Sequence, residues 1–422
     1  LPVFFEFVMI TVEKALEHIL SRIMPLGQER VSLLDGLGRI LAEDCVSRWS
    51  IPPRDNSAMD GFAVRTIDVA GAGIANPVRL AVVEEIPAGH VPRRALNRME
   101  AAKIMTGAPI PPGADAVIRR EDLVEEGRQI LVTNPVPAGQ DIRSAGEDIR
   151  AGEVAVSRGE LLRPAEIGLL ASLGRSMLTV YQRPVVAIVA TGNELVDVDE
   201  PPAEGHIVTS NSYSLAAQVR ECGAIPLLVG IARDTKEDIL THFRHARQAD
   251  AIITSGGVSV GDYDLVRTVI ESNWRGIQFW QVAMRPGKPF AFGDIEGKPF
   301  FGLPGNPVST MVSFEQFVRP ALLKMMGWRH IFRRLVKAKT LEKIKKKRGV
   351  THFLRAMVTL EEGGYGVRTT GEQGSGILKS MVMANGLVIV PADVKEIAVG
   401  EEVWVQLIDA SLIQAREIVY PS

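Results

Sequence analysis

Residues 254 to 264 read TSGGVSVGDYD and directly follow the apolar run ADAIIT. A Ser-Gly-Gly turn after a strand lets the backbone N–H groups of Ser255, Gly256 and Gly257 approach an anion closely. Asp262 and Asp264 come next, and two carboxylates beside an anion site suit a bridging divalent cation. The same residues also suit a tight turn into a capped helix. The stretch is neither a Walker A loop nor a G-x-G-x-x-G fingerprint.

Other stretches carry similar chemistry. In ATGNELVD, Glu194 stands where a strand runs out, the ligand-facing position of an open α/β sheet, though it could equally cap a helix. In VAMRPGKPFAFG, Arg285 and Lys288 flank a Pro-Gly turn and suit an oxyanion, or an ordinary charged surface. FGLPGNPVST fixes a rigid loop with Pro304 and Pro307, and the following helix start could receive an anion. PPRDNSAMDGFAVR sets Asp55 and Asp60 around Asn-Ser-Ala. MTGAPIPPGADAVIRRED holds Thr106, and GQDIRSAGEDIRAGE holds Arg143 and Asp148; these two read first as turns. His242 and His245, three apart on a helix, could be metal ligands, but with no acid or Cys partner in view they fit a solvated face. The KIKKKR run fits a mobile hairpin tip.

The elements that must position these groups follow from periodicity. Thr11 caps an amphipathic helix, TVEKALEHILSRIM, and a second helix-like run occupies 31–44. From 51 to 146 short apolar runs and dense Pro/Gly turns predict a small β-rich domain. PAEIGLLASLG predicts a helix with Pro at its start and Gly174 at its end. From about 183, strands PVVAIVAT, AIPLLVGIA and ADAIIT alternate with helices SYSLAAQVRECG, KEDILTHFRHARQA and YDLVRTVIES. That rhythm predicts a parallel α/β sheet with ligands at the carboxyl ends of its strands. FLRAMVTL, GLVIVP and EEVWVQLI predict a β-rich C-terminal domain.

The bulk numbers bound the reading. A chain of 422 residues is too long for one core, so roughly three or more domains are expected. With 48 basic against 50 acidic residues, no general electrostatic drive toward nucleic acid or anionic lipid exists. Cys45 and Cys222 cannot build a disulfide framework, and neither C-x-x-C nor H-E-x-x-H occurs. No apolar run reaches the ~18 residues that span a bilayer. The opening LPVFFEFVMI lacks a basic region and a cleavage site, so it is not read as a signal peptide. A reducing, cytoplasmic setting is the expectation.

Taken together, DNSAMDGFAVR, MTGAPIPPGADAVI, GEDIRAGE, ATGNELV, SGGVSVGDYD, RPGKPFAFG and GLPGNPVS resemble, in order, the molybdopterin molybdenumtransferase family, the MoeA proteins, related to the gephyrin E domain. The resemblance covers nearly the whole chain from about residue 11. It implies a molybdopterin-binding-like α/β domain (1–26 with 183–330), a linker domain (27–46 with 147–182), an inserted β-rich domain (47–146) and a C-terminal β-barrel (331–422). It also implies a homodimer whose cleft joins the α/β domain of one subunit to the β-domains of the other.

The implied reaction cleaves adenylated molybdopterin, releases AMP and inserts molybdate into the dithiolene, with Mg²⁺ as the divalent cation. By motif match, Asp60, Asp148, Glu194, Asp234, Asp264 and Lys288 carry the chemistry. Thr106, Arg143, Ser255, Gly256, Gly257, Arg285, Pro304, Pro307 and Ser375 bind substrate, and Asp262, Asp264 and Glu194 bind metal. A molybdopterin adenylyltransferase is the implied upstream partner, with no nucleic acid and no membrane. Arg285 departs from the Lys that relatives commonly carry, which exchanges a compact ammonium for a planar fork. Tungstate insertion, or a catalytically weak scaffold protein that keeps the fold, are the alternative readings.

Overall fold

The computed structural model describes residues 9–257, 265–274, 276–361 and 363–409. They form two compact units: the described residues within 9–31, 38–42 and 179–409, and residues 32–37 and 43–178.

The first unit is built on a seven-stranded sheet. Its strands run, from one edge, Met9–Ile10, Gln278–Val282, Pro289–Ile295, Lys298–Leu303, Ala251–Ser255, Val185–Thr191 and Ile225–Ala232. The last four are mutually parallel, as the strand-helix rhythm predicts. Gln278–Val282, Pro289–Ile295 and Lys298–Leu303 are antiparallel neighbours, so the sheet is mixed. Strands buried on both faces read as continuous apolar runs, and VVAIVAT is such a run. Val186 and Ile188 pack with helices Val12–Arg22, Ser210–Glu221 and Pro307–Ser313 on one face. Ala187 and Val189 pack with Lys236–Ala246 and Leu265–Asn273 on the other.

This layering makes a crevice. Val185–Thr191 and Ala251–Ser255 are adjacent, but the helices that follow them lie on opposite faces of the sheet. The chain therefore parts at their carboxyl ends, the place where open α/β sheets bind ligands.

The C-terminal strands of the same unit close a five-stranded barrel. Thr351–Glu361, Gly364–Thr369, Leu335–Thr340, Glu402–Leu407 and Gly386–Val390 follow one another, and the last pairs back with the first. Met284–Arg285 adds to this ring in parallel with Thr351–His352. Ala356, Val367, Val388 and Val405 fill the interior.

The second unit centres on a six-stranded sheet in the order Ala116–Arg119, Gly61–Val64, Glu100–Ile104, Val78–Ile86, Gln129–Val132 and Leu123–Glu126. Helix Pro164–Ser172 begins with its proline, as expected.

Two expectations fail. The run 31–44 is not a helix: it contains a single 3-10 turn, Leu34–Gly36, and Gly38 takes φ +74°. A positive φ ends a right-handed helix, and Leu41 then bridges antiparallel to Val180. The KIKKKR run is not a free tip. Ile344–Lys345 pairs with Glu396–Ile397, Ile344 enters the barrel core, and Lys343 forms an ion pair with Glu396. Lys346 Nζ donates to the carbonyls of Val350 at 3.0 Å and Ala392 at 3.3 Å.

Candidate functional site

The crevice of the first unit is a cavity of about 590 Å³, and the predicted residues Glu194, Asp234, Ser255, Gly256, Gly257, Pro304 and Pro307 all line it. Strand Ala251–Ser255 ends in the glycine turn. Gly256 has φ +97° and Gly257 φ +69°. A Cβ on Gly257 would lie 2.5 Å from Val266 Cβ, and one on Gly256 would lie 2.8 Å from Thr191 Oγ1. The turn thus needs glycine at both positions for conformation and for space. Gly256 N–H donates to the Leu303 carbonyl at 3.0 Å, tying the turn to the LPGNP loop.

Glu194 and Asp234 reach the cavity through two loops that clasp each other. Asn193 N–H donates to Asp234 Oδ2 at 3.2 Å, and Asp234 N–H donates to Asn193 Oδ1 at 3.0 Å. Arg233 Nη1 donates to the carbonyls of Asn193 at 3.2 Å and Leu195 at 2.7 Å. Asn193 and Arg233 were not singled out from sequence, because a residue that braces a neighbouring loop leaves no local pattern.

The LPGNP loop leads into helix Pro307–Ser313, whose first proline has no N–H to satisfy. The next N–H, of Val308, donates to the Ser375 carbonyl at 3.0 Å, so Ser375 of the C-terminal region packs at this helix start. Asn211, also unforeseen, joins the two walls. Its Nδ2 donates to Ser255 Oγ at 2.8 Å and to the Gly305 carbonyl at 2.7 Å.

Lys288 and Arg285 are exposed and have no ion pair among the described residues. Pro289, next to Lys288, lines the crevice. Arg285 opens instead onto a second cavity of about 590 Å³, together with His352, Lys346 and Arg355. Arg355 is only 1% exposed. Its guanidinium bonds Ser380 Oγ at 2.9 Å and the carbonyls of Gln373 at 3.2 Å and Gly374 at 2.9 Å. It therefore shapes the GEQGSG loop that carries Ser375. Burial lowers its pKa to about 10, and it remains a cation at neutral pH.

The second unit gathers the other predicted residues on the segment around PPRDNSAMDG. Asp60 Oδ1 accepts from both the backbone N–H of Thr106 at 2.7 Å and its hydroxyl at 2.8 Å. These two bonds hold the exposed Asp60 carboxyl below the usual carboxylate range. Ile142–Arg143 pairs with Asn56–Ser57, and Asp148 N–H donates to the Ile51 carbonyl at 3.0 Å. Asp55 is structural: its Oδ1 accepts from Ala145 N–H at 2.7 Å.

Asp262 and Asp264 lie outside the described residues. Among the described residues no three His, Cys, Asp or Glu side chains converge on one point. The expectation of a solvated face fails for His242, which is partly buried with Nδ1 2.9 Å from the Asp238 carbonyl and 3.5 Å from Asp238 Oδ1. Glu194 and Asp234 supply hard oxygen donors beside the glycine turn, and oxygen donors suit Mg²⁺.

Three family models cover the chain: the MoeA N-terminal region (domain I and II) over residues 10–174, a probable molybdopterin binding domain over 187–324, and the MoeA C-terminal region (domain IV) over 337–408. The chain is 40% identical over 385 residues to molybdopterin molybdenumtransferase 2 of Mycobacterium tuberculosis, covering 89% of this chain and 94% of that protein. The chain belongs to the MoeA family. Among other relatives, the Staphylococcus aureus molybdopterin molybdenumtransferase is 35% identical over 405 residues, with 95% and 96% covered. Two Pyrococcus horikoshii MoeA crystal structures superpose with TM-scores of 0.81 and 0.83 at 36% and 34% identity. Each match covers 95% of this chain, and 99% and 100% of the respective MoeA chains. The mixed α/β sheet and the closed barrel are thus the MoeA fold. No described helix is long and apolar enough to cross a membrane.

Proposed function

We propose that the chain is the transferase of molybdenum cofactor biosynthesis that cleaves adenylated molybdopterin, releases AMP and inserts molybdate into the dithiolene. The carrying observation is the crevice itself, in which Glu194, Asp234 and the Ser255–Gly257 turn converge at the carboxyl ends of parallel strands. The backbone N–H groups of the turn suit phosphate oxygens, Lys288, next to the crevice-lining Pro289, offers countercharge there, and Arg285 offers it from the second cavity. Pro304 and Pro307 hold the opposite wall rigid, and Ser375 packs against its helix.

Glu194, with Asp262 and Asp264, would hold Mg²⁺. The bound ion supplies neutralisation of charge on the phosphoanhydride. Asp234 and the other carboxylates order water. Its oxygen bonds to phosphorus, the bridging P–O bond breaks with AMP leaving, and a carboxylate takes the water proton. Asp60 with Thr106, together with Arg143 and Asp148 on strands and turns bonded to residues 51–57, make up the second unit's part. In a homodimer this part serves the crevice of the other copy. The substrate comes from a molybdopterin adenylyltransferase, and the setting is cytoplasmic.

The test is AMP release from adenylated molybdopterin by the purified chain with molybdate and Mg²⁺. Asp234→Ala is expected to slow release about 100-fold, within the usual range for general acid–base groups. Wild-type release no faster than a protein-free control would refute the reading.

A further inference from the structure

We propose that Asn211 is a positioning residue that fixes the Ser255 hydroxyl as a hydrogen-bond donor to the substrate. The inference rests on the function proposed above and adds to it a residue with no charge and no titration of its own.

The geometry is specific. Asn211 is the second residue of helix Ser210–Glu221 and lines the crevice. Its single amide nitrogen reaches two acceptors on two different walls, Ser255 Oγ at 2.8 Å and the Gly305 carbonyl at 2.7 Å. The Gly305 carbonyl has no proton, so the atom facing it must be Nδ2 rather than Oδ1. The amide orientation is therefore set by the backbone. Asn211 Oδ1 is buried with no partner among the described residues, so the amide is only half used by the fold.

The consequence falls on Ser255. A hydroxyl has one proton and two lone pairs. Asn211 occupies a lone pair, which leaves the Ser255 proton to be donated elsewhere, at the foot of the glycine turn where a phosphate oxygen is expected. A bond from O–H to an anionic oxygen is of the stronger, charge-assisted kind. Without the amide, the hydroxyl is free to rotate and to spend its proton on a protein acceptor.

Asn211→Asp tests this. An aspartate keeps the size but offers Ser255 an acceptor, which captures the proton and removes the donor. The kinetics of AMP release and the dissociation constant for adenylated molybdopterin, read by titration of intrinsic fluorescence, are measured for wild type, N211D, S255A and the double variant. Thermal melting confirms that each is folded at the assay temperature. A charge-assisted hydrogen bond corresponds to a loss of roughly 10- to 100-fold in affinity. N211D and S255A are each expected to show that loss, and N211D is expected to cost less than about 3-fold more in the S255A background. Folded N211D within about 3-fold of wild type overturns the proposal. So do losses that multiply in the double variant, the result of a clamp acting through Gly305 alone. A wild type that binds the ligand but releases no AMP refutes the proposed reaction and leaves the affinity cycle to decide this inference. A wild type that does not bind overturns both.

Discussion

Asp60 Oδ1 receives two bonds from one residue, the N–H of Thr106 at 2.7 Å and its hydroxyl at 2.8 Å. Both favour the ionised carboxyl, so its pKa lies below the ordinary value. Thr106→Val removes the hydroxyl bond and keeps the N–H. If Asp60 must be ionised for turnover, the acidic limb of the pH profile of AMP release moves to higher pH in that variant. An unmoved limb would separate Asp60 ionisation from turnover.

Homodimeric sharing of the site has a sharper test. Asp60→Ala disables the second unit of a chain, and Asp234→Ala disables the crevice of the first. Mixed dimers of the two inactive variants recover one intact site of two if the group works in trans. Equal mixing is then expected to restore about a quarter of wild-type AMP release, by simple combination of subunits. No recovery after confirmed subunit exchange would sink the arrangement.

Gly257 has φ +69°, and an added Cβ would sit 2.5 Å from Val266 Cβ. Gly257→Ala is expected to cost roughly 1–3 kcal/mol of stability by urea unfolding. It should also abolish ligand binding in protein that remains folded. Adding Val266→Ala removes the two γ-methyls, each 2.7 Å from the added Cβ, but keeps the Cβ contact and the backbone strain, so only part of the stability should return.

His352 is 6% exposed, and burial, then Lys346 and Arg285, push its imidazole down to about 4. The folded state therefore resists a proton that the unfolded chain accepts near 6.5. Its stabilising contribution is present above the unfolded value and is lost as pH falls from about 6.5 toward about 4, by up to roughly 1.4 kcal/mol per pH unit. His352→Gln should flatten that segment of a stability–pH curve. A slope equal to wild type would assign it to other groups.

Much of this was legible in the chain because strand and helix periods are local. VVAIVAT and KEDILTHFRHA could be read within one window, and each lies where its pattern says. Glu194, three residues past the end of Val185–Thr191, was legible as a strand-end acid, whereas Asp234 came from the family resemblance alone. The run 31–44 misled because Leu spacing suits a helix, whereas Gly38 has φ +74° and tertiary pairing claims Leu41. KIKKKR misled because its charge hides Ile344, whose partner strand lies about fifty residues on. Asn211 and Arg355 left no signal at all. Their value lies in reaching carbonyls and hydroxyls that are distant in sequence, Gly305 and Ser255 for one, and the GEQGSG loop for the other.

The strand that leaves the α/β sheet at Val282 joins the barrel at Met284, with only Ala283 between. Thr351 N–H donates to the Ala283 carbonyl at 2.9 Å, and Arg285 sits in register with His352. The barrel is thus tied to the α/β sheet by backbone hydrogen bonds at this crossing point. A chimera that exchanged residues 331–409 for those of a relative would replace the hydrogen-bonding partners that hold the Arg285 backbone in place. Arg285 and the barrel strand Thr351–Glu361 should therefore be exchanged together.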